Sequence, residues 1–395
     1  MRTINGDNHR TTYLNRRTTS TRMSSSTMDM IAKIEAIPYC IDYAKPLRFA
    51  SGFVDKADHV LVRVTTNNGL VGIADAPPRP YTYGETQESI LAVINKIMAP
   101  QLIGTPVEQN ARVHEVLKRT VGNNVAKAAI DIALWDIKAK TANTTLTAML
   151  GGYTDRLQVA HMVGFADTRD VLEEVQDLTD RYGISAYKIK VGRRPIHDDI
   201  EVCRAIRREF GDEVVLYIDG NRGWNARESQ YVLKALEDIN LRFVEELNPA
   251  SEGFGRRQIV QHTNIPFVVD ESAPTPTAVW RALQDGDGSA VSIKTARTGI
   301  TDSLRIWGLC SSGGVDIVLG NQIDTQVGSM ATIAFGAAFY ETSLLPAEVS
   351  NFLDMQDDLQ AEPIEIVDGY AKISQRPGYG ASIDPDKLEY YRLDK

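Results

Sequence analysis

The sequence predicts an α/β protein, a (β/α) barrel preceded by a smaller α+β domain. Three observations carry that reading. Strand-like stretches and then helix-like stretches fill residues 29–150. From about residue 157 onward, short apolar runs alternate with amphipathic segments. Most of those runs close on charged side chains at nearly constant spacing.

The first domain opens with strands, of which "HVLVRVTTNNGLVGIADA" is the clearest stretch. Its Thr-Asn-Asn-Gly cluster at 66–69 is a hairpin turn signal between two apolar runs. Helical segments follow at 86–102 and 106–142, and "AKAAIDIALWDIKAK" places apolar residues at helical spacing among good helix formers. Strands first and helices second predict an α+β capping domain over 29–150. Residues 151–350 then read as the barrel. Its runs are "AYKIKV", "VVLYID", "LRFVEEL", "IPFVVDES", "AVSIKT" and "VDIVLG", with helix-like segments such as 198–209 and 228–238 between them. Such alternation implies parallel βαβ units. Six or more in a row, without a Gly-rich dinucleotide turn, favour a barrel over a doubly wound sheet. Residues 351–395 are polar with short strands and are expected to return to the capping domain.

Bulk properties bound the function. A chain of 395 residues with 43% apolar content suits two domains with a sizeable core. The net charge of −9 argues against nucleic acid as the main partner, because phosphate binding needs a basic surface. It leaves anionic substrates open, since a bound metal reverses the local sign. The three cysteines Cys40, Cys203 and Cys310 lack metal-ligand spacing and read as reduced thiols in a cytoplasmic protein. No apolar run approaches a membrane span. Residues 1–28, rich in Arg, Ser and Thr, read as a disordered tail or an extension upstream of a start at Met23, Met28 or Met30, with a superficial likeness to an organelle transit peptide.

The charged strand ends carry the chemistry. Lys188 and Lys190 close the first run, Asp219 the second, Glu245 and Glu246 the third, Asp270 and Glu271 the fourth, and Lys294 the fifth. Asp219, Glu245, Asp270 and Lys294 follow one another at 26, 25 and 24 positions, one βα unit apart. In a parallel barrel the carboxyl ends of the strands share one face, where active sites sit. Any one such residue alone is ordinarily a helix cap or a solvated loop residue. Together they bring three carboxylates to one place, where they repel one another unless a cation lies between them. An all-oxygen set suits Mg²⁺ or Mn²⁺ rather than Zn²⁺. Lys188 and Lys190, two apart on a strand, point to the same side. Like-charge proximity and burial are expected to lower a lysine pKa there and so to favour proton transfer near neutral pH. Lys294 stands across the site from Lys190.

These motifs resemble the muconate lactonizing subgroup of the enolase superfamily. Its members show K-x-K, D-x-N, E-Q-P or E-E-P, D-E-S and a final Lys. Here they read "KIK" at 188–190, "DGN" at 219–221, "EEL" at 245–247, "DES" at 270–272 and Lys294. "GLVGIADA", "AAIDIALWDIKAK" and "LGG" at 150–152 add to the likeness, which spans about residues 30–385. The resemblance implies an enolase-like modified barrel with Asp219, Glu245 and Asp270 as ligands of one Mg²⁺ or Mn²⁺. It implies Lys190 and Lys294 as the acid/base pair. Lys188 would tune Lys190 and touch the substrate carboxylate, Asn221 would position substrate or the Asp219 carboxylate, and Asp324 falls where the family often carries an acid. The family's usual Pro is Leu247 here, and "RTGIT" after Lys294 brings Arg297 near the site.

The resemblance places substrate choice in two capping loops, 42–53 and 77–86. They supply Lys45, Arg48, Arg79, Tyr81 and Tyr83. Cationic and aromatic loops suit a small, flat substrate with a second carboxylate. The leading expectation is a muconate cycloisomerase that forms a lactone through an enolate. A racemase or epimerase of an amino-acid derivative and a dehydratase of a hydroxy acid or hydroxyproline-like substrate are the alternatives. The partners implied are a small carboxylate substrate and further copies of the chain, often eight in this family.

Overall fold

The computed structural model describes residues 28–395 of the chain, so the expectation for the N-terminal extension lies, apart from Met28, outside the described residues. Three strands, β1 (Ile31–Phe49), β2 (Gly52–Thr66) and β3 (Val71–Ala76), form an antiparallel sheet in chain order. The turn at 66–69 forms as its sequence requires. The Gly69 amide donates to Thr66 O at 3.0 Å with Gly69 at φ +83°, a conformation open to glycine at no steric cost. Helices follow at Gln87–Val93, Asn110–Leu117 and Asn124–Thr141. Thr86 caps the first through a reciprocal box with Ser89.

The barrel consists of β4 (Arg156–Val163), β5 (Ala186–Lys190), β6 (Val215–Asp219), β7 (Val244–Glu245), β8 (Phe267–Val269), β9 (Ala290–Ile293), β10 (Asp316–Leu319) and β11 (Ala347–Glu348). Each of β4 to β9 pairs in parallel with the next, and β11 pairs in parallel with β4. Asn321, just past β10, donates from its side chain to Glu348 O at 2.9 Å and so links β10 to β11. All six apolar runs singled out in the sequence form strands. The first and last strands were less legible. β4 carries polar Arg156, Gln158 and His161 among its apolar residues, and β11 is only two residues long.

The barrel interior is packed. Small Ala160, Ala186 and Ala290 interleave with Tyr217 and Phe243, whose rings lie 4.2 Å apart between centroids. This plug leaves room for the site only at the carboxyl end of the strands. The capping domain closes over that end. Asp131, in helix Asn124–Thr141, accepts from the Thr301 amide at 2.8 Å and its hydroxyl at 2.7 Å. Gly299, at φ +61°, must be glycine for this contact, because a Cβ there would stand 2.5 Å from Asp131 Oδ2. Asp75 on β3 accepts from Tyr39 at 2.8 Å and from the Thr325 hydroxyl at 2.9 Å, fixing the loop after β10 to the capping sheet.

The C-terminal segment divides. β12 (Ile366–Val367) and β13 (Tyr370–Lys372) form a hairpin whose second strand pairs antiparallel with the start of β4, at the end of the barrel opposite the site. Helix Pro385–Tyr391 then leads the chain back to β1, where the Leu393 amide donates to Pro38 O at 2.9 Å. Among the described residues no helix is long and apolar enough to cross a membrane.

Candidate active site

Strand register sets the site. Lys190, Asp219 and Glu245 are direct neighbours across β5, β6 and β7. Asp270 follows β8, and Lys294 follows β9. The Lys188 ammonium lies 3.0 Å from Asp219 Oδ2, 2.9 Å from Glu245 Oε1 and 3.0 Å from Glu348 Oε1. The Lys190 ammonium lies 2.6 Å from Asp219 Oδ2 and donates to Asn221 Oδ1 at 2.9 Å. Lys294 reaches Asp270 Oδ2 at 2.5 Å. All three carboxylates singled out in the sequence are fully buried, and all three lysines are nearly so.

The expected lowering of a lysine pKa is not what this geometry gives at Lys188. Burial does pull Lys188 toward neutrality, but Asp219, Glu245 and Glu348 outweigh it and hold the ammonium well above the usual lysine value. At Lys294 burial is likewise outweighed, by Asp270 and Tyr83. The repulsion foreseen between two lysines is overridden because carboxylates stand between and around them. Asp219 shows the reciprocal effect. Burial opposes its ionisation, yet Lys188 and Lys190 bring it down to about 2.

Adjacent acids on the same strand end have separate tasks. Glu246 accepts from the Asp270 amide at 2.8 Å and the Ser272 amide at 3.0 Å, and pairs with buried Arg256 at 3.0 Å. Its capacity is filled by the protein. Glu245 instead keeps Oε2 buried without a partner. Burial, reinforced by Asp219, Glu348 and Asp270 and opposed by Lys188, holds its carboxyl well above the ordinary range. An unpartnered carboxylate oxygen beside Asp219 and Asp270 fits a divalent cation held by oxygen ligands. Leu247, where the family has Pro, packs fully buried against Gly220. A Cβ at Gly220 would stand 2.8 Å from Leu247 Cα. The loop thus keeps Asn221 in place, with its amide on Asp219 Oδ1 at 2.9 Å and its side chain donating to Glu271 at 2.8 Å.

A small pocket opens on this cluster. Lys190, Lys294 and Asn221 line it, with Arg79 and Tyr83 from the capping loop. Glu85 anchors that loop by accepting from the Val125 and Ala126 amides at 3.0 and 3.3 Å. Arg79 is buried, donates to Ile323 O at 3.0 Å, and keeps Nε without a partner. A larger cleft, between helix Gln326–Gly336 and the C-terminal hairpin, has no comparable convergence of lysines and carboxylates.

The remaining sequence candidates stand elsewhere. Arg297 is buried behind Asp270, which it contacts at 2.7 Å, and donates to the Tyr83 hydroxyl at 2.8 Å. Lys188 is enclosed by its three carboxylates and does not line the cavity. Asp324 organises its own loop by accepting from the Gln322 amide at 3.2 Å, and burial pushes its carboxyl up to about 6. Lys45 pairs with Glu174 on the outside of the barrel, Arg48 is exposed, and Tyr81 is 72% exposed. Residues the sequence did not single out complete the site. Glu348 anchors Lys188, while Phe49, Met162 and Ile323 give the cavity apolar walls. Only Glu348, the charged end of a short apolar run, left a signal in the sequence.

Fold and site together define a barrel enzyme with lysines and carboxylates gathered at the carboxyl ends of its strands. Residues 33–151 match the family described as mandelate racemase / muconate lactonizing enzyme, N-terminal domain, and residues 170–387 match the enolase C-terminal domain-like family. The chain belongs to the mandelate racemase / muconate lactonizing enzyme family of the enolase superfamily. A muconate lactonizing enzyme of M. smegmatis, solved with muconolactone, is 51% identical and superposes with a TM-score of 0.91 over 92% of this chain and 100% of its own. A chloromuconate cycloisomerase of Cupriavidus necator is 28% identical over 91% of this chain and 99% of its own length. The L-Ala-D/L-Glu epimerase of Bacillus subtilis is 30% identical over 78% and 85%. A dipeptide epimerase of Enterococcus faecalis, solved with Mg, shares the fold at 24% identity and a TM-score of 0.83 over 89% and 99%.

Proposed function

We propose that this chain is a muconate-type cycloisomerase, closing cis,cis-muconate or a close relative to a lactone. One observation carries the reading. Lys190 and Lys294, from the second and sixth of eight barrel strands, reach one small cavity that also holds the buried cation of Arg79. That arrangement suits a short dicarboxylate with a proton donor on either face. The 51% identical lactonizing enzyme supports the same substrate class.

Asp219, Glu245 and Asp270 would hold Mg²⁺ or Mn²⁺, whose charge favours enolate character at the substrate carboxylate. The other steps fall to this chain's own side chains. Arg79, through its free Nε, binds the distal carboxylate. As that carboxylate oxygen bonds to a carbon of the double bond, the displaced π pair moves to the carbon next to the other carboxylate. A lysine ammonium, Lys190 or Lys294, gives that carbon its proton, and solvent later restores the lysine. Lys188 holds Asp219 and Glu245 in place, Asn221 orients Lys190, and Arg297 orients Asp270 and Tyr83. Asp324 shapes the loop that presents Ile323 to Arg79.

The test is loss of the conjugated diene's ultraviolet absorbance on incubation with Mg²⁺ or Mn²⁺, with a chelator control. Metal-dependent loss is expected, and no loss with either ion overturns the substrate assignment. A second reading, an epimerase, draws on the 30% identical relative and the same lysine pair. In some dipeptide epimerases an Asp-x-Asp pair follows the last strand. Here that stretch is Glu348-Val349-Ser350, with Glu348 held by Lys188 and Ser350 turned out to His161. Exchange of the α-proton of a dipeptide in heavy water would favour the epimerase instead. The homo-oligomer expected from the family is part of the proposal, and light scattering checks it.

A further inference from the structure

Alternate residues of a strand face opposite ways. On β4, Met162 lines the cavity, whereas His161 points out beneath helix Thr168–Tyr182. Its Nδ1 lies 3.0 Å from Ser350 Oγ. The Ser350 hydroxyl itself donates to Ala160 O at 3.2 Å, so it accepts from the imidazole Nδ1–H. That leaves the lone pair on Nε2. Nε2 is buried, has no hydrogen-bond partner, and faces two acids: Glu174 Oε1 at 3.7 Å and Asp354 Oδ2 at 3.6 Å.

A lone pair aimed at two carboxylates is unfavourable unless a cation stands among them. A proton on Nε2 would gain a charged form, and the acids do raise His161 above its usual value against the pull of burial. Yet both separations exceed hydrogen-bond length. They approach the roughly 3.4 Å between two ligands of a tetrahedral ion with bonds of about 2.1 Å. The ligand atoms of all three residues lie within 4.8 Å of one another. A donor hydrogen bond at the far imidazole nitrogen, here to Ser350, is the support a metal-binding histidine ordinarily has.

We propose that His161, Glu174 and Asp354 form a second cation site, outside the barrel, for a first-row transition ion such as Zn²⁺ or Co²⁺. The imidazole excludes Mg²⁺ as its ordinary occupant. Lys45 pairs with the other oxygen of Glu174, leaving Oε1 for the ion. Lys45 lies where β1 loses register between Asp42 and Leu47, so the site joins the capping loop, a barrel helix and the turn at Asn351–Asp354. The Glu174 and Asp354 side chains are 12% and 15% exposed, which gives an ion a way in.

The experiment counts metal and needs no substrate. Full-length protein is stripped with chelator, saturated with Mg²⁺, dialysed against Zn²⁺ or Co²⁺ and analysed for bound metal and melting temperature. The expected result is about one transition ion per chain that raises the melting temperature. His161→Gln and Asp354→Asn should each lose both the ion and the shift. Asp354→Asn, nearer the surface, decides the matter if His161→Gln fails to fold. No bound ion in the wild type, or an ion that persists in both variants, overturns the proposal.

Discussion

The strand ends and the capping loops both present charged residues to the mouth of the barrel, and they behave differently. Six of the charged strand ends named in the sequence, Lys188, Lys190, Asp219, Glu245, Asp270 and Lys294, converge in one cluster, while Glu246 turns to Arg256. The loop residues scatter. Arg79 and Tyr83 line the cavity, while Lys45, Arg48 and Tyr81 stand outside it. A strand residue inherits its direction from a ladder whose register is fixed and whose side chains alternate. A loop residue takes its direction from whatever it packs on, and that is a tertiary matter.

Breaking the strand-end cluster should have the largest effect. Lys190→Ala is expected to lower the rate of diene loss by roughly 10²–10⁴-fold, as removal of a general acid does. Full activity in the variant would remove Lys190 from the proton-transfer pair. Asp219→Asn should abolish metal-dependent turnover, and retained activity in chelator would sink its assignment as a ligand.

The two neighbouring glutamates sharpen the comparison within the cluster itself. Glu246→Gln leaves Arg256 buried without its charge partner, so a loss of about 3–5 kcal/mol in denaturant-measured stability is expected. Glu245→Gln should instead weaken metal binding with a smaller change in stability. Equal behaviour of the two variants would mean that the division read from their hydrogen bonds is wrong.

The loop residues should rank lower. Arg79→Met is expected to reduce kcat/KM by roughly 10–100-fold, the worth of about 1.5–3 kcal/mol for a charged hydrogen bond. Most of it should appear in KM. Arg48→Ala and Tyr81→Ala should leave kcat/KM and stability nearly unchanged, within about 0.5 kcal/mol. A tenfold loss at either position would show that the loop closes differently around substrate.

Much of this was legible in the chain. Spacing of one βα unit placed Asp219, Glu245, Asp270 and Lys294 on consecutive strand ends, because a repeating unit of fixed geometry leaves little else to decide. The turn at 66–69 and the helix containing "AAIDIALWDIKAK" were equally plain from local chemistry. Less visible was β11, whose two residues, Ala347 and Glu348, carry no periodicity of their own. The electrostatics went astray for a related reason. Sequence distance put Lys188 beside Lys190, but the dominant neighbours of Lys188 are carboxylates from three other strands.

The sequence by itself therefore determined the order of elements, the barrel, and the set of groups at its mouth. Those follow from periodicity and from side-chain type at strand ends. Only the tertiary structure decided that Glu245 keeps a free oxygen while Glu246 is consumed by Arg256 and Ser272. It alone turned Arg79 inward and Lys45 outward, and it alone set His161, Glu174 and Asp354 together. The physical reason is that direction, desolvation and charge pairing depend on neighbours brought from far along the chain, and no local pattern encodes them.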